Sequence, residues 1–272
     1  MTVPVVICTS AFGAEVVRQR GQGHFAMAIA QAGAEGIEIR EELFTDQDRP
    51  SEALGARLHD TGLLCIYSST LKLFEDSGTL NMTLADELAI AEALHARYIK
   101  VSLGQFPLAP EEATAAVQAL GATLEHSPIT LLIENDQTLS GGRIAPLKQC
   151  LDACRAQDID IAMTFDVGNW YWTGNDPLEA ARTLGKFVAY VHCKGVETSI
   201  TAHGKQLAAR VPDDTDMNAW SSLWQHFPAK CLRAIEFPLI ADDDATLIVH
   251  AQQQIERLRE LGQYMADQED IA

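Results

Sequence analysis

Four residues of metal-ligand type each close a short apolar run of the sequence: Glu134 in LLIEND, Asp166 in MTFDVGN, His192 in YVHCKG and Glu236 in AIEFPL. A buried carboxylate costs several kcal/mol unless it is paired or bound to a cation. Three carboxylates and an imidazole at one edge therefore predict a shared divalent metal ion. Oxygen donors dominate the set, so it favours Mn²⁺ or Mg²⁺, with Co²⁺ or Zn²⁺ as alternatives. Each residue alone is equally typical of a helix cap or a salt bridge, so the prediction depends on all four.

Further charged side chains are expected beside this set. Glu38 and Arg40 are two residues apart in GIEIR and share one strand face, and Lys194 follows His192 by two residues. We expect all three to contact the substrate, with Arg40 and Lys194 binding an anionic group. The alternative for each cation is a salt bridge that only orders its strand. Weaker candidates are Tyr67, Lys100, Asn135, Asp136, Trp170 and His203.

Apolar runs alternate with longer amphipathic segments along the chain, which is typical of parallel β-α-β units. Dividing 272 residues among eight runs gives 34 residues per unit, close to one strand, one helix and two connections. We predict a single (β/α)₈ TIM barrel over residues 1–272, with the active site at the carboxyl ends of its strands. The predicted strands are Val3–Thr9, Gly36–Arg40, Leu63–Ser69, Tyr98–Leu103, Ile129–Asn135, Ile161–Val167, Phe187–Lys194 and Cys231–Pro238.

Amphipathic segments supply the predicted helices. They include Thr83–Arg97, Glu111–His126, Ile144–Gln157, Pro177–Lys186 and Ala245–Gln268. A doubly wound sheet is the main alternative fold, but it usually carries a GxGxxG turn after its first strand. The corresponding segment, SAFGAEVVRQRGQG, does not match that turn. The alternation therefore favours the barrel.

The charge of the chain excludes several classes of partner. Lys and Arg number 20 against 38 Asp and Glu, giving a formal charge of −18, which argues against nucleic acids and anionic membranes. The start of the chain does not resemble a signal peptide, and no apolar run reaches the roughly 18 residues of a spanning helix. We therefore expect a cytoplasmic protein whose six cysteines are reduced. Whether it forms a homo-oligomer is left open.

These motifs resemble the xylose isomerase-like TIM-barrel superfamily of sugar isomerases and epimerases over essentially the whole chain. Asp166–Asn169 is similar to the DxGN run of that family, and His192–Lys194 to its HxK run. The resemblance implies that the four residues at the strand ends bind one divalent ion. In the tagatose and psicose epimerase branch, the positions of Glu134 and Glu236 also act as acid and base. The resemblance further implies substrate contact by Asn169, where many relatives carry His.

The resemblance also ranks the branches of the superfamily. The endonuclease branch needs histidines at the ends of strands two and three, where this chain has IEIRE and IYSS. A narrower resemblance, to epimerases of bacterial 2-ketogluconate use, rests on ENDQT at Glu134–Thr138 and GGR at Gly141–Arg143. We expect a metal-dependent isomerase or epimerase of a sugar or keto-sugar acid that works through an enediolate. The alternatives are a dehydratase of the dehydroshikimate or inosose type and a non-catalytic sugar-binding barrel.

Overall fold

The computed structural model describes residues 3–49, 51–201 and 204–269, and within them the chain folds into a closed barrel. Eight parallel strands close the barrel in the order β1-β10-β7-β6-β5-β4-β3-β2, which confirms the predicted (β/α)₈ fold. The strands are β1 (Val5–Cys8), β2 (Gly36–Arg40), β3 (Leu64–Phe74), β4 (Ala96–Gly104), β5 (Thr130–Glu134), β6 (Ile161–Asp166), β7 (Val188–Cys193), β8 (Gly195–Thr201), β9 (Gly204–Arg210) and β10 (Leu232–Ile235).

Strands β8 and β9 form an antiparallel hairpin outside the barrel, which the sequence analysis did not predict. The hairpin follows β7 directly, and its first pair joins Gly195 to Arg210. Its sequence lacks the continuous apolar run that identified the barrel strands, because no face of it is buried in the core. Each of the eight predicted runs overlaps one barrel strand, so β10 is the predicted eighth strand.

Helices cover the outside of the barrel. They are α1 (Ala14–Arg20), α2 (Gln22–Gln31), α3 (Ser51–Asp60), α4 (Leu84–Ala93), α5 (Pro110–Leu124), α6 (Ile144–Ala156), α7 (Trp170–Thr173), α8 (Pro177–Leu184), α9 (Asp214–Trp224) and α10 (Asp244–Glu269). Asp176 caps α8 and Pro177 occupies its first turn, as the chemistry of a helix start favours. Across the described part of the chain, no helix is both long and apolar enough to cross a lipid bilayer.

Apolar side chains fill the barrel below its mouth. Successive strand residues point alternately into the barrel and towards the helices. The larger core lies between strands and helices, whereas a smaller cluster plugs the barrel itself. The polar residues at the ends of the strands therefore lie above a layer of buried, mostly apolar side chains inside the barrel. The members of the inner cluster are Val6, Cys8, Ile66, Leu132, Tyr190 and Ala234.

Candidate metal centre

The barrel brings the four predicted metal ligands together at its mouth. One ligand atom from each of Glu134, Asp166, His192 and Glu236 lies within 4.8 Å of the others. Nδ1 of His192 lies 2.9 Å from Oε1 of Glu134, 3.1 Å from Oε2 of Glu236 and 3.9 Å from Oδ2 of Asp166. We call these four residues the quartet, and these three carboxylate oxygens the inner oxygens.

Backbone contacts fix the direction of Asp166. Its Oδ1 accepts hydrogen bonds from the backbone N–H groups of Gly168 and Asn169, at 2.8 and 3.0 Å. Asn135 binds both backbone groups of Asp166, donating to its carbonyl and accepting from its N–H. The second carboxylate oxygen, Oδ2, is left to face His192. The DxGN run thus positions a ligand through its backbone.

His192 is fixed from the opposite side. Its Nε2 lies 2.7 Å from Oε2 of Glu38, and the hydroxyl of Tyr190 donates to that same oxygen at 2.8 Å. A hydrogen bond at Nε2 orients the ring so that Nδ1 faces the quartet. Glu38, Tyr190 and His192 are all buried. The imidazole is therefore positioned as metal-binding histidines are.

Three buried or nearly buried cations, Arg40, Lys100 and Lys194, pair with these carboxylates. Lys100 lies 2.5 Å from Oε2 of Glu134, and Arg40 lies 2.9 Å from Oε1 of Glu236. Lys194 lies 2.6 Å from Oδ2 of Asp166 and 2.9 Å from Oε2 of Glu236. These cations supply counter-charge that the sequence analysis assigned to a metal ion. Lys100, a weaker candidate in the sequence, belongs to the site.

The charges shift the pKa values of the quartet in different directions. Burial alone would raise the pKa of Glu134, but Lys100 and His192 outweigh it and lower the value to about 2. Burial dominates at Asp166 and raises its pKa to about 6. Burial opposes protonation of His192, yet Glu236 and Glu38 raise its pKa well above the ordinary value. Without a metal ion, the imidazole is therefore positively charged at neutral pH, with a proton on each ring nitrogen.

The geometry of the quartet fits a divalent ion. Oδ2 of Asp166 and Nδ1 of His192 are buried and face the same point, with Oδ2 2.6 Å from Nζ of Lys194 and Nδ1 2.9 Å from Oε1 of Glu134. A ring nitrogen and carboxylate oxygens that converge on one point are donors that a divalent cation accepts once Nδ1 has lost its proton. Three oxygens and one nitrogen also match the donors that Mn²⁺ and Mg²⁺ accept.

The predicted substrate-binding residues all contact other parts of the protein. Glu38 is fully buried behind His192, and Arg40 contacts Glu38, Glu42 and Glu236. Both Arg40 and Lys194 thus form the salt bridges that were their alternative interpretation. Binding of an anionic substrate by Arg40 or Lys194 stays a prediction.

The remaining candidate residues differ in whether they lie near the quartet. The side chain of Asn169 donates to the carbonyl of Asn135 and accepts from Gln137, so it closes a loop at the mouth. Tyr67 donates to Glu87 on α4 and therefore lies on the helix side of its strand. Trp170 is buried against Phe165. His203 lies outside the described residues.

Comparison with known proteins bears on the fold. No model of a known protein family matches the sequence, and neither does any curated protein. Among solved structures, D-psicose 3-epimerase of Clostridium cellulolyticum H10 with D-tagatose has a TM-score of 0.64 at 12% identity, covering 96% of this chain and 99% of its own. A probable 3-DHS dehydratase of Bacillus anthracis has a TM-score of 0.63 at 13% identity, covering 93% of this chain and 98% of its own.

A third structure is a xylose isomerase-like TIM-barrel protein of Mycobacterium smegmatis in complex with magnesium. Its TM-score is 0.55 at 14% identity, over 96% of this chain and 97% of its own. The chain is thus similar in fold to these TIM-barrel proteins. At these identities the likeness shows the fold alone. The chemistry of this barrel has to be argued from its own quartet.

Proposed function

We propose that this protein is a divalent-metal-dependent isomerase or epimerase of a sugar or keto-sugar acid. The observation that carries the proposal is the placement of Glu134 and Glu236, whose inner oxygens lie 2.9 and 3.1 Å from Nδ1 of His192. The two glutamates come from β5 and from the end of β10, with β6 and β7 between them in the barrel. They therefore lie on either side of Asp166 and His192, the other two residues of the quartet. The likeness to sugar epimerases supports the same class of reaction.

Glu134, Asp166, His192 and Glu236 would hold the ion. When bound, the ion would act as a Lewis acid on the oxygens of an enediolate formed from the substrate. In each glutamate, one carboxylate oxygen faces His192 and the other contacts a cation, Lys100 for Glu134 and Arg40 for Glu236. The outer oxygens, Oε2 of Glu134 and Oε1 of Glu236, would remove and return a proton beside the substrate carbonyl while they stay paired with Lys100 and Arg40. Between turnovers, the cations Lys100 and Arg40 keep these carboxylates ionised.

A dehydratase is the second candidate. It is favoured by the likeness to a probable 3-DHS dehydratase and by the two ammonium groups, Lys100 and Lys194, that contact the quartet. Loss of a hydroxyl after enolisation requires a proton donor at the leaving oxygen, and an ammonium can supply it. The products separate the candidates, because dehydration creates a carbon–carbon double bond whereas epimerisation conserves the atoms.

The test is exchange of a substrate C–H proton with deuterated water, followed by proton NMR on protein loaded with Mg²⁺. The panel contains ketoses, ketoaldonates and their phosphates, and it includes D-tagatose and 2-ketogluconate. We expect one C–H signal beside a carbonyl to disappear while an epimer or isomer accumulates. Binding without loss of any such signal would contradict the proposal and leave a non-catalytic sugar-binding barrel. A new olefinic signal would identify the dehydratase.

The narrower resemblance to 2-ketogluconate epimerases enters the panel as one substrate among several. The two runs behind it form one compact loop: Gly142 donates to the carbonyl of Thr138, and Asp136 accepts from the N–H of Thr138. A Cβ on Gly142 would lie 2.0 Å from the backbone oxygen of Asp136. The glycine is therefore required by the close approach of two chain segments, which accounts for it without any substrate.

A further inference from the structure

We propose that Lys194 is a displaceable cation, whose ammonium holds Asp166 and Glu236 together in the metal-free protein and leaves both when a divalent ion binds. The inference rests on the proposed function, since it requires the quartet to take an ion. It assigns Lys194 a role in controlling access to the metal site. Neither the sequence pattern nor the likeness to other barrels assigns that role.

The inference is based on which carboxylate oxygens Lys194 contacts. Its Nζ lies 2.6 Å from Oδ2 of Asp166 and 2.9 Å from Oε2 of Glu236. Both are inner oxygens, which face Nδ1 of His192. An ion held by the quartet would need those same two oxygens. The ammonium and the ion therefore compete for one set of ligands, and their like charges repel at such short range.

The other two cations of the site contact different oxygens. Lys100 binds Oε2 of Glu134, whose Oε1 is the inner oxygen, and Arg40 binds Oε1 of Glu236, whose Oε2 is the inner oxygen. Both outer oxygens remain available to their cations after the inner oxygens are taken. Lys100 and Arg40 are therefore compatible with a loaded site. Of the three, Lys194 alone occupies ligand positions.

The path of the Lys194 side chain allows it to move. Its stem crosses Gly168, where a Cβ would lie 2.9 Å from Cγ and 3.0 Å from Cε of the lysine. The missing side chain at Gly168 thus leaves room for the lysine to lie across the segment that follows β6. Lys194 is 8% exposed, against 3% for Lys100, so both ammonium groups are buried and Lys194 is slightly closer to solvent. Its four-carbon stem is flexible, which withdrawal of the ammonium requires.

Chemical labelling of lysines in the full chain tests the inference. The protein is acetylated with and without saturating Mg²⁺, modification of each lysine is quantified by mass spectrometry, and Mg²⁺ binding is measured by calorimetry on the same preparation. Released from two carboxylates, Lys194 should be acetylated at least about tenfold faster with Mg²⁺, because its ammonium is no longer held between Asp166 and Glu236 and becomes accessible to the reagent. Lys100 serves as the internal control and should stay protected in both states.

A pair of variants gives a second measurement. Lys194→Met and Lys100→Met each remove one positive charge beside the quartet, but Lys194→Met alone removes a competitor for the inner oxygens. We expect Lys194→Met to tighten Mg²⁺ binding about tenfold more than Lys100→Met does. Bound Mg²⁺ with Lys194 still protected, or equal tightening in the two variants, would overturn the inference and leave the proposed function intact. Failure of the wild-type protein to bind Mg²⁺ or Mn²⁺ would overturn both.

Discussion

Glu38 holds the imidazole of His192 from the side opposite the quartet, with Oε2 of the carboxylate 2.7 Å from Nε2 of the ring. Tyr190 donates to the same oxygen and Arg40 donates to the other, so the carboxylate is fixed at both ends. A carboxylate behind a metal-binding histidine orients the ring and makes its free nitrogen a stronger donor. Glu38 is therefore an orienting residue rather than the substrate contact that the sequence suggested.

Replacing Glu38 tests that role. Glu38→Gln should weaken Mn²⁺ binding by about 10- to 100-fold, the usual cost of losing an orienting partner. Calorimetric titration with Mn²⁺ measures the affinity, and circular dichroism checks that the barrel remains folded. Glu41→Gln is the matched control, because the Glu41 carboxylate binds Ser69 and Thr70 and contacts no residue of the quartet. Equal affinities in the two variants would remove Glu38 from the site.

Metal binding should release a proton at neutral pH. Glu236 and Glu38 raise the pKa of His192 well above its ordinary value despite burial, so the metal-free ring is protonated on both nitrogens. Nδ1 must lose its proton to bind an ion. Affinity should therefore rise with pH towards the His192 pKa, and fall further below about pH 6, where Asp166 takes up a proton. Calorimetry in buffers of different ionisation enthalpy counts the protons, and a count of zero would contradict this reading.

Replacing Glu134 or Glu236 should reduce turnover in both cases, but the two variants should differ in exchange of a substrate C–H proton with solvent. Glu134→Gln or Glu236→Gln keeps a ligating oxygen but cannot accept a proton, so turnover should fall about 10²- to 10⁴-fold at saturating Mn²⁺. One variant should still exchange a substrate C–H with solvent, because the remaining carboxylate removes and returns the proton on its own face. NMR with Mg²⁺-loaded protein detects that exchange. Near-normal turnover in both variants would exclude the two-glutamate mechanism.

Arg40 should matter for stability more than for substrate affinity. Arg40→Met leaves Glu38 and Glu236 buried without their guanidinium, which should lower the free energy of unfolding by about 3 kcal/mol. Urea denaturation measures the change. Arg18→Met is the control, since the exposed Arg18 side chain contacts only a backbone oxygen of Glu42, and it should change stability by less than about 0.5 kcal/mol. An unchanged midpoint for Arg40→Met would show that the carboxylates are stabilised in another way.

The barrel could be predicted from the sequence because its strands are buried on both faces. Such strands appear as uninterrupted apolar runs, and the first polar residue after a run marks the mouth of the barrel. Glu134, Asp166, His192 and Glu236 were all identified in that way. The β8–β9 hairpin was missed because its strands are not buried on both faces and carry no such run.

Pairing between strands could not be predicted in the same way. Which cation meets which carboxylate depends on strand register and side-chain reach, and neither is visible in one sequence. Lys100 and Ser102 lie on β4, and the register pairs Ser102 with Glu134 on β5, which brings the lysine within reach of that carboxylate. Nor does one sequence indicate that Lys194, just after β7, contacts Asp166 at the end of β6. The charge balance of the site therefore emerged only from the structure.

Asn135 lies one residue beyond the end of β5, and its side-chain amide binds both backbone groups of Asp166. These two hydrogen bonds of the Asn135 side chain thus take the place of a further pair of backbone hydrogen bonds between β5 and β6, at the point where β5 ends. Local opening begins where backbone hydrogen bonds end. Here hydrogen bonds extend beyond Glu134, because Asn135 binds the backbone of Asp166. Exposing Glu134 and Asp166 to solvent from below would require the parallel ladder itself to separate. We therefore expect the mouth and the barrel to unfold as one cooperative unit.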